Sequence, residues 1–215
     1  MSDRTIRSTS IRRKTSRPFD PALAATYPAV IGCDEVGRGA LCGPVMVAAV
    51  WFDPARLPAE LLARLDDSKR LDAATREALT PLIRAHGRVA LTAASCGLVD
   101  RINVRAATLD AMARAVARLG LSAPVLVDGR DAVPGLDACR AVIGGDRSVP
   151  QIAAASIVAK TCRDRLMRVL GARHPAYAWE HNVGYGTAAH LAGLTAKGRS
   201  RHHRVSFTAR FAVDA

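Results

Sequence analysis

The stretch Ile31-Gly-Cys-Asp-Glu-Val-Gly-Arg-Gly39 places two adjacent carboxylates at the end of an apolar run, directly before a glycine-arginine-glycine turn. Neighbouring residues of an extended chain point to opposite sides, so Asp34 and Glu35 cannot share one flat acidic face, but they can bracket a metal ion. The glycines allow backbone N–H groups to approach a ligand, and Arg38 offers a fork for phosphate. Carboxylates for a hard cation beside donors for a phosphodiester indicate metal-dependent phosphoryl transfer.

The pattern around this stretch alternates between short apolar segments and helical periodicity. Five segments rich in β-branched and small residues are predicted as strands: 29–33, 43–52, 89–97, 123–127 and 141–143. Helical periodicity covers 54–86, 102–119, 150–171 and 187–197. Ser68 or Asp72 is a candidate helix cap, and Gly120 is placed to end a helix. This order predicts an α/β domain with a mixed central sheet flanked by helices.

Two further acids follow predicted strands. Asp128 comes directly after Val125-Leu-Val127, and Asp146 lies beyond the segment that ends at Ile143. Each has a simpler reading by itself, because Asp-Gly is a common turn dipeptide and an aspartate before a helix is a common cap. Together with Asp34 and Glu35 they would repel one another at a sheet edge unless a cation lay among them. The set therefore predicts a metal-binding site.

The bulk composition favours a polyanionic partner. The chain has 215 residues, of which 49% are hydrophobic, enough for one well-cored domain. Lys and Arg number 31 against 19 Asp and Glu, a formal net charge of +12. Basic residues that meet phosphates release condensed counterions, so nucleic acid is a natural partner. Aromatic residues make up only 4%, which argues against a stacking platform for single strands.

The N-terminal segment differs in composition from the rest. Residues 1–27 carry six Lys or Arg residues and many Ser and Thr, which predicts a disordered basic tail before a domain at 28–215; a transit peptide is the alternative. No apolar stretch is long enough to span a membrane, and none resembles a secretory signal. Five cysteines without a Cys-x-x-Cys pair indicate reduced thiols and a cytoplasmic protein.

The whole set of motifs resembles the ribonuclease HII family. The resemblance begins with Asp34-Glu35-Val36-Gly37-Arg38-Gly39 and Gly43-Pro44-Val45. It continues, in the family's order, through Asp67-Ser68-Lys69-Arg70-Leu71, Ile102-Asn103, Val127-Asp128-Gly129, Gly145-Asp146, Ala153 to Lys160, Arg163-Asp164, Gly184-Tyr185-Gly186-Thr187 and His203 to Phe207. Any one block is a weak signal, but the ordered set is specific and covers the chain from residue 29 onward.

The resemblance implies a ribonuclease H-like fold with a C-terminal helical and loop extension. By this likeness Asp34, Glu35, Asp128 and Asp146 are the four catalytic, metal-binding acids. The expected cofactor is Mg²⁺ or Mn²⁺, commonly drawn as two ions about 4 Å apart. The expected substrates are RNA–DNA hybrids and duplex DNA with embedded ribonucleotides, cut on the 5′ side of the ribonucleotide to leave a 3′-hydroxyl and a 5′-phosphate. A monomer without membrane association is expected.

The resemblance also implies how a 2′-hydroxyl is sensed. Backbone groups of Gly37, Arg38 and Gly39, together with Tyr185, occupy the positions that sense the junction in the family, and Lys69 is a candidate phosphate contact. The sequence departs from the family's pattern in three places, all outside the four acids. Ala40 stands where the family often has a proline, Val183 where it often has a basic residue, and Val205 where it often has an arginine. These three departures put the affinity for the nucleic acid in question rather than the activity.

Other functions compete with this interpretation. Ribonuclease HIII is the nearest enzyme, but the glycine-arginine-glycine turn and the lack of a sizeable N-terminal substrate-binding domain argue against it. A non-catalytic nucleic-acid binder would explain the basic charge, yet such a protein would gain by losing acids that face phosphate. A nucleotide-binding switch protein is excluded, because the sequence has no Gly-x-x-x-x-Gly-Lys-Ser/Thr loop.

Overall fold

One mixed sheet of five strands forms the centre of the computed structural model, which describes residues 19–211. The strands are β1 Ile31–Val36, β2 Val45–Trp51, β3 Arg88–Ala94, β4 Val125–Asp128 and β5 Cys139–Val142. Their order across the sheet is β3-β2-β1-β4-β5. β1, β2 and β3 are antiparallel neighbours, whereas β4 pairs in parallel with both β1 and β5. The predicted α/β class with a mixed sheet is confirmed.

Helices cover both faces of the sheet and extend beyond it. They are α1 Ala59–Arg64, α2 Ala73–His86, α3 Cys96–Ile102, α4 Val104–Leu119, α5 Pro150–Arg173, α6 Trp179–Asn182, α7 Ala188–Lys197 and α8 Val205–Thr208. Side chains of a strand alternate between faces, so Cys33 and Val47 pack towards α4, whereas Ala48 and Val50 pack towards α2 and α5. α6, α7 and α8 form the expected C-terminal extension around the buried Trp179.

The long helix α5 lies very close to β1. A Cβ atom at Gly32 would lie 2.4 Å from the backbone nitrogen of Ile152, so only glycine fits at this point of the strand. The small residues 153–155, predicted from the sequence to allow a close approach, are fully buried against the sheet. This contact holds the start of α5 against the first residues of β1, and Ser156, further along α5, lies near Asp34.

Several element boundaries differ from the predictions. β1 runs on to Val36, so Asp34 and Glu35 lie within the strand rather than after it. The predicted helical region 54–86 is interrupted by a loop, where Asp72 caps α2 as predicted but Ser68 caps no helix. α3 precedes the predicted helix at 102–119, and Asn103 separates α3 from α4 with a φ of 65°. Such breaks depend on tertiary contacts and turn chemistry that periodicity does not detect.

The described residues include the last part of the predicted N-terminal tail. Residues 1–18, the greater part of the predicted basic tail, lie outside the described residues, so the prediction of disorder there stays a prediction. Residues 19–27 are ordered, because Phe19 is buried in the core and its ring meets Tyr27 edge-on at 5.6 Å. A single 3-10 turn over Pro21–Thr26, capped by Asp20, connects them. These nine residues, which the prediction placed in the tail, therefore contact the core, while the division of the chain at residue 27 stays a prediction.

The remaining predictions from composition concern membranes and thiols. Within residues 19–211, no helix has both the length and the apolar character needed to cross a membrane. All five cysteines are free thiols, of which Cys33 and Cys42 are buried. Reduced cysteines agree with the sequence, while cytoplasmic localisation stays a prediction.

Candidate active site

The parallel pairing of β1 with β4 brings the predicted acids to one edge of the sheet. Cys33 lies opposite Val127, so Asp34 and Asp128 each follow the last residue pair of this ladder. Glu35 is the next residue of β1, and Asp146 lies in the 3-10 turn Gly145–Arg147 that follows β5. Because the carboxyl ends of parallel strands share an edge, Asp34 and Asp128 become neighbours although they are 94 positions apart in the sequence.

Asp34 and Glu35 flank this edge from opposite faces, as their adjacency on a strand requires. Asp34 is 6% exposed and lies on the α5 side, where it accepts a hydrogen bond from Ser156. The Ser156 hydroxyl in turn lies 2.7 Å from that of Ser68, so the loop before α2 supports this carboxylate. Glu35 lines a depression on the α4 side together with Asp128.

Asp128 and Asp146 are joined through the backbone. The N–H of Gly145 donates to Asp128 Oδ1 at 2.7 Å, which fixes the turn that carries Asp146. Asp146 is buried, and its cationic neighbours are Lys69, in the loop before α2, and Arg147, whose Nε lies 3.8 Å from Asp146 Oδ1. Lys69 therefore lies beside the acids, and its contact with a phosphate stays a prediction.

The electrostatics of the cluster show a shortage of positive charge. Burial, followed by the nearby charges of Glu35 and Asp128, raises the pKa of Asp34 well above its ordinary value. Burial also raises the pKa of Glu35, although Arg38 Nη1, 3.2 Å from Glu35 Oε1, opposes this. Burial together with Asp67 and Asp128 raises the pKa of Asp146 to about 6. A cation among these oxygens would relieve the repulsion that opposes ionisation.

The donor set fits a hard divalent cation. Asp34, Glu35, Asp128 and Asp146 offer only carboxylate oxygens, the ligands that Mg²⁺ and Mn²⁺ prefer. The raised pKa values of Asp34 and Asp146 support this fit, because burial and neighbouring carboxylates oppose their ionisation.

A second group of potential ligands does not fit a metal. Cys42, His190 and His203 bring their ligand atoms within 4.8 Å of one another. The ring nitrogens are already used, because Trp179 Nε1 donates to His190 Nε2 at 3.0 Å and the Ser200 N–H donates to His203 Nδ1 at 2.9 Å. Burial raises the pKa of Cys42 to about 12, which disfavours the thiolate that a metal requires. These side chains form a buried hydrogen-bond network.

The predicted substrate-contacting residues also come together. The turn Gly37–Gly39 leaves the end of β1, and Tyr185 Cε1 lies 4.0 Å from where a Cβ of Gly39 would be. Tyr185 is 37% exposed, so its ring is available to a ligand. Gly37 has a φ of 89° and touches Arg163, which excludes any side chain at this position.

Arg163 and Arg204 are residues of this region that sequence reasoning did not assign to the site. Both guanidinium groups are fully buried, and both hold the loops that carry the turn and Tyr185. One signal for Arg163 was present in the sequence, since it lies four residues after Ala159 and four before Met167 on the buried side of α5. Arg204 follows no such periodicity.

Comparisons with known proteins agree with this architecture. The family described as Ribonuclease HII matches residues 31–210. A ribonuclease HII of Paramagnetospirillum magneticum is 52% identical over 180 residues, covering 83% of this chain and 89% of the relative. The fold is similar to the ribonuclease HII in a PCNA complex from Archaeoglobus fulgidus, with a TM-score of 0.71 and 24% identity over 86% of this chain and 97% of that one.

A structure of Bst-RNase HIII in complex with Mn²⁺ is also similar in fold, with a TM-score of 0.62 and 20% identity over 83% of this chain and 65% of that one. The match to the Ribonuclease HII family, together with the sequence identity over 89% of the Paramagnetospirillum relative, favours a ribonuclease HII over a ribonuclease HIII and over a non-catalytic nucleic-acid binder. The chain therefore belongs to the ribonuclease HII family, and it is an endonuclease of the ribonuclease H class.

Proposed function

We propose that the chain is a divalent-metal-dependent endoribonuclease that cleaves the RNA strand of RNA–DNA hybrids and nicks duplex DNA on the 5′ side of an embedded ribonucleotide. The products are a 3′-hydroxyl and a 5′-phosphate, and the physiological role is removal of ribonucleotides from DNA in the cytoplasm. The proposal is carried by one observation: Asp34, Glu35, Asp128 and Asp146 meet at a single sheet edge beside an exposed tyrosine and a glycine-rich turn.

The four acids would hold one or two divalent ions, with Mg²⁺ or Mn²⁺ favoured by their hard oxygen donors. When bound, such ions lower the pKa of an attacking water and stabilise the departing oxygen of a phosphodiester. Asp34 would be held in a fixed orientation by the hydroxyl of Ser156 and by the N–H of Glu35, 2.7 Å away. Fixed ligands require little reorganisation when a phosphodiester is bound.

Recognition of the ribonucleotide would depend on Tyr185 and on the Gly37–Gly39 turn, which lie next to the four acids. Tyr185 lies against Gly39, so its ring can pack on the sugar of the ribonucleotide while the turn contacts the 2′-hydroxyl. Arg38 Nη1 lies 3.2 Å from Glu35 Oε1, and the Arg38 side chain is 44% exposed. Binding of cations by Glu35 would release this arginine towards a phosphate. Lys69, next to Asp146, would contact a second phosphate.

The test is incubation of the protein with a DNA duplex that carries one ribonucleotide, with Mg²⁺ or Mn²⁺, followed by mapping of the nick to single-nucleotide resolution. We expect a single cut on the 5′ side of the ribonucleotide and a product end that a DNA polymerase extends. An all-DNA duplex and a reaction with EDTA are the controls, and both should remain uncut. A nick on the 3′ side, or cutting of all-DNA duplex, contradicts the proposal.

A duplex with a longer ribonucleotide stretch sharpens the assignment. We expect cleavage of that substrate as well, with a preference for the junction between the last ribonucleotide and DNA. Activity on long hybrids alone, with the single ribonucleotide left intact, would contradict junction recognition by Gly37–Gly39 and Tyr185.

A further inference from the structure

Two buried arginines hold the loops next to the acids without the help of any carboxylate. Arg163 lies in α5 and Arg204 precedes α8, and both are 0% exposed. Within residues 19–211, neither guanidinium donates to a carboxylate or takes part in an ion pair. Burial of a charged group is unfavourable unless its hydrogen bonds are satisfied. All six guanidinium nitrogens donate to backbone carbonyls instead, which makes the two arginines structural crosslinks.

Arg204 donates hydrogen bonds directly to the Gly37–Gly39 turn. Its Nη2 donates to the carbonyl of Gly37 at 2.8 Å, and its Nη1 donates to the carbonyl of Arg38 at 2.8 Å. A third carbonyl, that of Gly43, accepts from Nη2 at 2.8 Å. Two consecutive peptide groups of the turn are therefore held by one planar guanidinium.

These hydrogen bonds determine the direction in which the N–H groups of the turn point. No cis peptide bond occurs among the described residues, and in a trans peptide the N–H points opposite to the C=O. Since the carbonyls of Gly37 and Arg38 face Arg204, the N–H groups of Arg38 and Gly39 face away from it. Within residues 19–211 neither N–H donates to a protein acceptor, and both residues are exposed. Successive N–H groups of this kind form a concave site for an anionic or hydroxyl oxygen.

The backbone around Arg204 is anchored independently of its side chain. The Arg204 N–H donates to the Leu41 carbonyl at 2.9 Å, and the Gly43 N–H donates to the His202 carbonyl at 2.8 Å. The N–H groups of Val205 and Ser206 both donate to Asp100 at 2.9 Å. A substitution of the Arg204 side chain therefore removes its hydrogen bonds to the Gly37–Gly39 turn, while the backbone hydrogen bonds of the segment around residue 204 remain.

We propose that Arg204 is a positioning residue that presets the Gly37–Gly39 turn, so that the N–H groups of Arg38 and Gly39 meet the sugar-phosphate backbone of the ribonucleotide at the cleavage junction. The inference rests on the proposed function, because it takes this turn as the contact for that nucleotide. Donors that are oriented before binding need no rearrangement as the reaction proceeds. Arg204 itself is too deeply buried to touch the substrate.

The test compares Arg204→Lys and Arg204→Met with wild type on a duplex that carries one ribonucleotide, with Mg²⁺, at a temperature well below each melting point. We expect kcat to fall on the order of 100-fold for Arg204→Met, because a small misplacement of the reacting groups has an effect of that size. KM should change by no more than about 3-fold, since most phosphate contacts remain. Arg204→Lys, which keeps the charge and some donors, should recover part of the loss.

Arg168→Met and Arg168→Lys are the matched controls, because Arg168 is an exposed arginine of α5 that pairs with Glu77. Both should keep wild-type kcat. A role in folding alone predicts a lower melting temperature with wild-type kcat in the folded fraction of Arg204→Met, and this result would overturn the inference.

A second measurement uses wild-type protein and does not depend on the variants or on cleavage. Amide hydrogen exchange of Arg38 and Gly39 should slow on binding of the same duplex with Ca²⁺ in place of Mg²⁺. Unchanged exchange in a protein that binds the duplex contradicts this inference even where cleavage occurs. Failure of wild type to cut the duplex with Mg²⁺ contradicts the proposed function instead, so the two failures are distinguishable.

Discussion

The acidic edge (Asp34, Glu35, Asp128 and Asp146) and the arginine anchor (Arg163 and Arg204 with the loops they hold) bury charge in opposite ways. At the acidic edge, burial and the nearby carboxylates raise the pKa of Asp34 and of Asp146. In the arginine anchor, each guanidinium nitrogen donates to a backbone carbonyl. Within residues 19–211, the negative charge of the acidic edge is not fully compensated, whereas every guanidinium nitrogen of the arginine anchor has a hydrogen-bond acceptor.

This difference separates a ligand site from a scaffold. Buried charge without partners is unfavourable in the isolated protein and becomes favourable when a ligand of opposite charge binds. Buried charge with all its hydrogen bonds satisfied makes the local structure rigid. The two regions meet at the Gly37–Gly39 turn, whose one end leaves β1 beside Glu35 and whose carbonyls accept from Arg204. A rigid scaffold therefore lies directly beside a site that is built to receive cations.

The largest expected effect is on the acidic edge. Asp34→Asn should lower cleavage on the order of 1,000-fold, because a metal ligand contributes several kcal/mol to the reaction. The same variant should raise the melting temperature in EDTA, since asparagine keeps the acceptor for the Glu35 N–H and removes a buried charge whose pKa is raised. Duplex binding should be unchanged or stronger. Gel-based cleavage, calorimetry and fluorescence anisotropy measure the three quantities.

Asp110→Asn is the control for this comparison, because Asp110 is an exposed aspartate of α4 that pairs with Arg114. It changes the charge by the same amount away from the edge and should leave cleavage unaffected. If Asp34→Asn keeps more than about a tenth of wild-type turnover, where a ligand should be worth far more, the metal assignment of Asp34 is wrong.

The next effect concerns the tyrosine carried by the arginine-anchored loops. Tyr185→Ala should lower kcat on a single embedded ribonucleotide on the order of 100-fold through misplacement of the scissile phosphate. The backbone carbonyl of Tyr185 accepts from His190 Nδ1 at 3.0 Å, so the loop keeps its attachment in this variant. Tyr185→Phe, which keeps the ring, is the matched control and should be milder. A destabilised but fully active Tyr185→Ala would instead make this tyrosine a structural residue.

The two regions should respond to pH with opposite signs. Burial and the neighbouring His190 lower the pKa of His203 to about 4, so the unfolded chain takes up this proton and the folded chain does not as pH falls from about 6.5 to about 4. Stability from His203 is complete above this window, and roughly 3 kcal/mol of it is lost on acidification through the window. The raised pKa of Asp146 acts oppositely, because the folded chain binds that proton more readily as pH falls through about 6.

Urea unfolding in EDTA across this range measures the effect. His203→Gln should remove the loss of stability at low pH, whereas Asp146→Asn should remove the opposing gain and steepen the loss. Parallel stability curves for wild type and His203→Gln between pH 7 and pH 4.5 would contradict the assignment of a neutral, buried His203; the interval is chosen around its pKa of about 4 and its ordinary value of about 6.5.

The smallest effect is at a strained residue of the second region. Val183 has a φ of 43°, a conformation that a β-branched residue rarely adopts, and its carbonyl accepts from Arg163 Nη1 at 2.8 Å. Val183→Asn should raise the free energy of unfolding by about 0.5–1 kcal/mol, because asparagine tolerates this conformation after a helix end. Val169→Asn, at an exposed position in the regular part of α5, should leave stability nearly unchanged, because valine and asparagine have similar helix propensities. Equal effects of the two variants on the free energy of unfolding would show that no strain is relieved at Val183.

The class of the fold could be predicted from the sequence. Short apolar segments rich in β-branched residues predicted every strand of the sheet, and helical periodicity predicted the main helices, since these patterns follow from local backbone geometry. Apolar runs correctly placed Asp128 at the end of a strand, whereas Asp34 and Glu35 lie within β1 because that strand runs on to Val36. The family motifs predicted which of the many acids form the set.

The contacts that hold the site in place could be found only from the tertiary structure. The contacts of Arg204 with the turn span more than 160 residues, and those between Ser68 and Ser156 span 88. Local patterns carry no information about such pairs, because an arginine or serine in a polar context resembles a solvated surface residue. The break at Asn103 and the folding of Phe19 into the core have the same origin. Burial decides whether a charge is solvent-exposed, paired or structural, and burial is a property of the assembled fold.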